Sequence, residues 1–188
     1  MEHPFAKFGD NVIYGWETLA SGYAAVWATE NTREAIFDAM ERRETYATTG
    51  PRMLVRFFGG WDFVAADAVT RQPAAVGYQK GVPMGGDLLP TTAGKSPSFL
   101  VAALKDPIGA NLDRVQIIKG WVDTEGEPHE RIIDVAWSGD RARNSEGKLP
   151  PVGNTVDVTT AEYTNTIGAV ELMGSWTDDD FDPAQHAF

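Results

Sequence analysis

Residues 42–52 read RRETYATTGPR and crowd cations, hydroxyls and a glycine turn into one short span. Arg43, Thr48, Thr49 and Arg52 are of the types that hold a phosphate or sulfate. Guanidinium groups offer paired N–H donors matched to such anions, and hydroxyls add single donors. The same residues also read as a helix end followed by a turn. Arg42 and Arg43 complement the negative end of a helix dipole, Tyr46 anchors the incoming segment, and Thr49-Gly50-Pro51 turns the chain. The turn accounts for every residue of the stretch. An anion site requires in addition that Arg43, Thr48, Thr49 and Arg52 converge, so the residues taken alone favour the turn.

Other candidates for chemistry are sparse. The three histidines, His3, His129 and His186, are far apart. None belongs to a His-x-His or His-Glu-x-x-His pattern, and all three are expected at the surface. A serine–histidine pair has no support either. The absence of cysteine excludes disulfides, thiolate metal sites and a cysteine nucleophile. WTDDDFDP (176–183) places Asp178, Asp179, Asp180 and Asp182 close together, as oxygen ligands of calcium are. The glycine and distal glutamate of a calcium loop are missing, so this reads as a solvated acidic turn. The glycines of GVPMGGDL (81–88) do not follow a strand and open a helix, which argues against a dinucleotide loop.

The elements that must position these residues are mostly strands. In 188 residues there are 19 glycines and 11 prolines, and helix-period stretches are few. The fold class expected is mainly β: an antiparallel β-sandwich-like domain preceded by a strand and one α-helix. AAVWA (24–28) reads as a short buried strand. NTREAIFDAMERRE (31–44) reads as the helix, with Asn31 as N-cap and Glu34 completing a capping box. RMLVRFFGGWDF (52–63) alternates as a strand, with Met53, Val55 and Phe57 on one side and a break at Gly59-Gly60. Residues 65–97 read as loop, and SFLVAALK (98–105) as a central strand. DRVQIIKGWV (113–122) and ERIIDVAWS (130–138) form a hairpin through DTEGE (123–127). NTVDV (154–158) and GAVELMGSW (168–176) add further strands. Residues 1–23 show no clear period, apart from a short amphipathic turn through Trp16, Leu19 and Tyr23. The one boundary lies near Gly50, where the period changes.

Charge limits the partners. The formal net charge is -11 and the pI is near 4.6, so no nucleic-acid partner is expected: duplex binding depends on cations that neutralise phosphates. No apolar run reaches the roughly 20 residues that span a bilayer, and no membrane partner is expected. The opening MEHPFAKFGD lacks the apolar core of a secretion signal.

Several strings taken together resemble one family. GYAAVWATENTREAIFDAMERRETYATTGPR, VRFFGGWDF, GVPMGGDL, LKDPIGANLDRVQIIKGW, DVAWS, PVGNTVDV and YTNTIGA are similar, in this order, to the C-terminal third of DUF3604, a bacterial family of unknown function. The resemblance implies a longer gene product with an upstream barrel similar to the PHP (polymerase and histidinol phosphatase) metal hydrolases. It further implies that residues 1–50 are the remnant of that barrel, its last strand and helix, and residues 51–188 the β-rich C-terminal domain. A divalent metal is then expected only in the full-length family protein, bound by ligands upstream of this chain, and no cofactor is expected here. The resemblance also implies that the family continues past Phe188 into another strand, so that this sequence is a fragment with an open sheet edge available for self-association.

Two functions follow as expectations. The first is the probably non-catalytic C-terminal part of a metal-dependent hydrolase of phosphate or sulfate esters, with the missing barrel as its partner and Arg43, Thr48, Thr49 and Arg52 as substrate-binding candidates. The second is a non-catalytic β-sandwich binding or assembly module. Exposure of Trp61, Trp121, Trp137 and Trp176 separates them, because a solvent-facing row favours binding and buried rings favour a structural role. The resemblance is compatible with a periplasmic or exported protein, though no targeting segment stands in this sequence.

Overall fold

The computed structural model describes residues 4–14, 22–91 and 94–188. His3, Trp16 and Leu19 lie outside the described residues. The fold is mainly β and antiparallel throughout, and sandwich-like. A first hairpin joins β1 (Pro4–Phe8) to β2 (Asn11–Tyr14), in a segment without visible sequence period. Next come β3 (Ala24–Val26), α1 (Arg33–Glu41) and β4 (Thr45–Ala47), with β3 and β4 paired. The N-cap of α1 is Thr32, one residue later than the Asn31 expected. Its hydroxyl accepts from Ala35 N at 3.3 Å, the bond that satisfies an otherwise orphaned N–H of the first turn.

The main sheet is built from β5 (Leu54–Gly60), β6 (Gly81–Pro83), β7 (Ser98–Leu104) and β12 (Glu171–Thr177), in the order β12-β7-β5-β6. As expected, 98–104 is a central strand. Leu54 to Gly60 pair residue for residue with Leu104 to Ser98, and Glu171 to Thr177 with the same strand on its other side. β5 ends at Gly60, at the break expected for Gly59-Gly60, and both glycines are still paired, with Phe99 and Ser98. A Cβ on Gly59 would sit 3.3 Å from the Phe99 ring, and one on Gly60 only 2.7 Å from Lys80 O. Both glycines admit neighbours.

Residues 65–97, expected as loop, contain a 3-10 turn (Ala65–Val69) and α2 (Pro73–Lys80). The helix is short and interrupted by Gly77, so it has no readable period, and packing holds it in place. Phe58, Phe63 and Leu100 form a buried cluster, and Ala68, Ala74 and Val76 pack against it. Gly77 lies flat on Phe58, as a Cβ there would be 2.4 Å from the ring. Asp67 fixes the start of the 3-10 turn by accepting from Val64 N and from Lys80 Nζ.

The second sheet places β13 (His186–Ala187) beside β8 (Arg114–Val122) and β9 (Pro128–Trp137). The β8–β9 hairpin and its loop over 123–127 are as expected, with Ile117 opposite Ile133 and Lys119 opposite Arg131. A bulge at Val115/Gln116 leaves Val135 unpaired, so Val115 faces Ala136 and Arg114 faces Trp137. Strict alternation does not foresee such an insertion. The hairpin meets the main sheet at Gly174, where a Cβ would sit 2.6 Å from Val135 Cγ1. β10 (Val156–Asp157) and β11 (Glu162–Tyr163) form a small separate pair.

The acidic turn at 178–183 departs from the solvated reading. Asp178 is buried, with Oδ2 2.5 Å from the Nζ of buried Lys119 on β8. Asp180 pairs with Arg131 on β9, and Phe181 packs edge-on against Trp61 at 5.9 Å. The turn therefore ties the hairpin to the main sheet. Among the described residues, no helix is long and apolar enough to cross a membrane.

Gly77→Ala tests the contact between α2 and the sheet. In a free helix this change stabilises by about 1 kcal/mol. Here the methyl group enters the space of Phe58, and overpacking of that kind costs about 1–3 kcal/mol. The expected result is a lower melting temperature in a thermal denaturation scan, and a higher one would show that α2 does not rest on Phe58.

Candidate functional site

The four sequence candidates occupy the junction between α1 and the main sheet. Arg43 stands just past the helix in a left-handed conformation, φ 62°. Its guanidinium donates to Asp87 Oδ2 at 3.0 Å in an exposed pair. Gly85 presses on its backbone so closely that a Cβ would meet Arg43 O at 2.1 Å, and its φ of +77° further favours glycine. Thr48 is buried, and its hydroxyl accepts from Tyr23 N at 3.1 Å. Thr49 is exposed. Arg52 N donates to Asp106 Oδ2 at 2.5 Å, and its Nε lies 4.0 Å from the same oxygen. Each candidate arginine thus faces a carboxylate, and the Thr48 hydroxyl is engaged in holding Tyr23.

The remaining candidates stay apart. His129 hydrogen-bonds Asp123 at 2.7 Å and stacks on Trp121 at the hairpin end, while His186 is exposed in β13. Among the described residues, no group of three or more His, Asp or Glu side chains converges on a metal position.

Beside the four candidates lies a cluster that sequence reading missed. Arg56 on β5 sits flat over the Trp27 ring, 3.5 Å from its centroid, and donates to Tyr78 Oη at 3.1 Å. Tyr78 in turn donates to buried Glu44, which also accepts from Arg42 at 3.1 Å. Trp27 Nε1 donates to Val55 O at 2.9 Å and Tyr46 Oη to Met53 O at 3.0 Å. These two bonds fasten the strand–helix–strand unit to β5. Burial and the bond to Glu44 raise the Tyr78 pKa, since ionisation would set a phenolate against a carboxylate. Burial likewise raises that of Tyr46.

Arg56 also lines a groove of about 560 Å³. Its floor is the stretch of the main sheet that α2 leaves uncovered, with Leu54, Ala102 and Leu104. Trp27 and Arg56 form one wall, and Arg71, Gln72 and Pro73, leading into α2, form another. Glu171 is the one carboxylate on the lining. A signal for this site was present in the sequence. Arg56 is a lone cation between apolar residues of a strand, and Pro73 is a helix-start residue.

Comparison with known families places the chain. A family described as protein of unknown function (DUF3604) matches residues 2–188. The chain belongs to this family. No curated protein and no solved structure matches it. The family description assigns this DUF3604 chain no activity.

Asp106, which holds the Arg52 backbone, is poised for a pH test. Hydrogen bonds from Arg52 N and Ile108 N hold its pKa below the ordinary carboxylate value. The folded state therefore releases a proton that the unfolded chain still binds. Its contribution is fully present above the unfolded value, about 3.9, and is lost as pH falls through the folded value. The melting temperature should drop on acidification below about pH 4, and Asp106→Asn should flatten that drop. An unchanged acid limb in Asp106→Asn would refute the assignment.

Proposed function

We propose that this chain is the C-terminal, non-catalytic part of a metal-dependent hydrolase similar to the PHP enzymes, acting on phosphate or sulfate esters. The observation that carries this reading is the outer face of α1. Phe37 and Met40 are one turn apart and 64% and 54% exposed, while Ala35 and Ala39 are buried. A helix of 9 residues owes its stability mainly to packing, and its apolar face is incomplete without a further body. In this reading that body is the barrel of the same gene product, which residues 1–50 complete.

A divalent metal held by that barrel would polarise the ester and activate water. This chain's own residues orient and bind. Trp27 and Tyr46 clamp the strand–helix–strand unit to β5. Arg43, Thr49 and Arg52 reach an anionic ester by exchanging the carboxylates of Asp87 and Asp106 for it, with Thr48 fixing the backbone between them. The reading as a binding or assembly module has less support. Trp61, Trp121, Trp137 and Trp176 are all half-buried and engaged: with Phe181, with His129, with the carbonyl of Arg141 and with Phe99. They do not form one solvent-facing row.

The test is metal content and hydrolysis of aryl phosphates and aryl sulfates on the same purified sample. The expected result is a metal-free chain without turnover, and stoichiometric metal with turnover would overturn the reading. Independently, an apolar-surface dye should fluoresce strongly with this chain and less with Phe37→Glu. Fluorescence as low as that of a compact control protein would remove the argument from α1.

A further inference from the structure

We infer that the groove between Arg56 and Arg71 is a binding site for a small organic monoanion with a flat apolar body, such as an aryl sulfonate, an aryl sulfate or an aromatic carboxylate. The inference is independent of any hydrolytic role.

Of the ten arginines in the sequence, seven lie in ion pairs with carboxylates: Arg42, Arg43, Arg52, Arg114, Arg131, Arg141 and Arg143. That leaves Arg33, Arg56 and Arg71 without a carboxylate partner among the described residues. Two of these three line a single groove, in a chain of net charge -11 where carboxylates are plentiful. Among the described residues, Arg56 has only the rings of Trp27 and Tyr78 and the Tyr78 hydroxyl as partners, and Arg71 has no hydrogen-bonded or ionic partner. A guanidinium carries five N–H donors, so most of the donor capacity of the pair is unspent.

The ligand class follows from the lining. Two guanidiniums against Glu171 leave one positive charge, which matches a monoanion. The floor of Leu54, Ala102 and Leu104 is apolar, and Leu54 and Leu104 are 46% and 39% exposed, so an apolar body gains by covering them. The Arg56 guanidinium rests on Trp27 with the Tyr78 ring beside it and lines the groove, where it offers planar N–H donors to an anion. Arg56 is also held in place by Trp27 and Tyr78, which lowers the ordering cost of binding. The first N–H groups of α2, beyond Pro73, have no side-chain cap and add positive potential at the same end.

The 188-residue chain is titrated by calorimetry or NMR with p-toluenesulfonate, which cannot be hydrolysed, and with methanesulfonate as the head group alone. The expected result is saturable binding of p-toluenesulfonate with Kd on the order of 1 mM or tighter, weakened by salt. Methanesulfonate should bind at least about ten-fold more weakly, since it leaves the floor uncovered. Arg71→Gln should weaken p-toluenesulfonate by about ten-fold, the loss of one charge-assisted hydrogen bond, with an unchanged melting temperature. Leu104→Asp should abolish binding and provides a second test on the floor. Absence of saturation, equal binding of the two sulfonates, or full binding by both folded variants would each overturn the inference.

Discussion

The buried pair of Lys119 and Asp178 is the contact on which the two-sheet arrangement depends. Lys119 points from the hairpin, and Asp178 directly follows the last strand of the main sheet, with 2.5 Å between Nζ and Oδ2. Asp178 Oδ1 has no hydrogen-bond donor among the described residues, so Lys119 is its principal compensation. A buried charge left alone is costly, and breaking such a pair removes about 3–5 kcal/mol. That cost makes the pairing selective: other registers of the hairpin against the main sheet would strand the carboxylate. Arg131 with Asp180, and Phe181 on Trp61, reinforce the same seam from either side.

The main sheet owes its rigidity to a different device. Phe57, Phe99 and Trp176 stack across three strands at 5.6 and 5.5 Å between ring centroids, and the opposite face buries Phe58 and Leu100 under α2. Glycines at 59, 60, 77 and 174 let rings and backbone approach where a side chain would collide. The uncovered end of this second face is the groove. A short helix ends early over a longer sheet, and the exposed remainder becomes a concave surface walled by whatever flanks it.

Charge in this molecule is spent on architecture. Most arginines face carboxylates, including Arg43 and Arg52, the cations that first drew attention. Membership of DUF3604 supplies kinship without an activity, and the physical features most open to a ligand are therefore those left unpaired: the apolar face of α1 and the guanidiniums of Arg56 and Arg71. The first is suited to a protein surface and the second to a small anion, because one offers area and the other offers directed donors in a recess.

Several of the strands were legible in the chain, though not their order in the sheets. The alternation over 113–122 and 130–138, the apolar run at 98–105 and the helical pattern at 31–44, though not its cap residue, are local signals, and local periodicity is what burial on one face imposes. Composition likewise determined the acidic surface and the absence of thiol chemistry. The helix at 73–80 was not legible, since its eight residues have no repeating face and exist by resting on Phe58. Nor was the hairpin at 4–14, or the bulge that leaves Val135 unpaired. The pairings that decide the site and the sheet seam, Arg43 with Asp87, Arg52 with Asp106, Lys119 with Asp178, and Arg56 with Trp27, span from 29 to 59 positions of sequence. Residue type announces that an arginine can hold an anion. Only the tertiary structure decides which carboxylate reaches it first, because that depends on strand register and on where each turn places its acid.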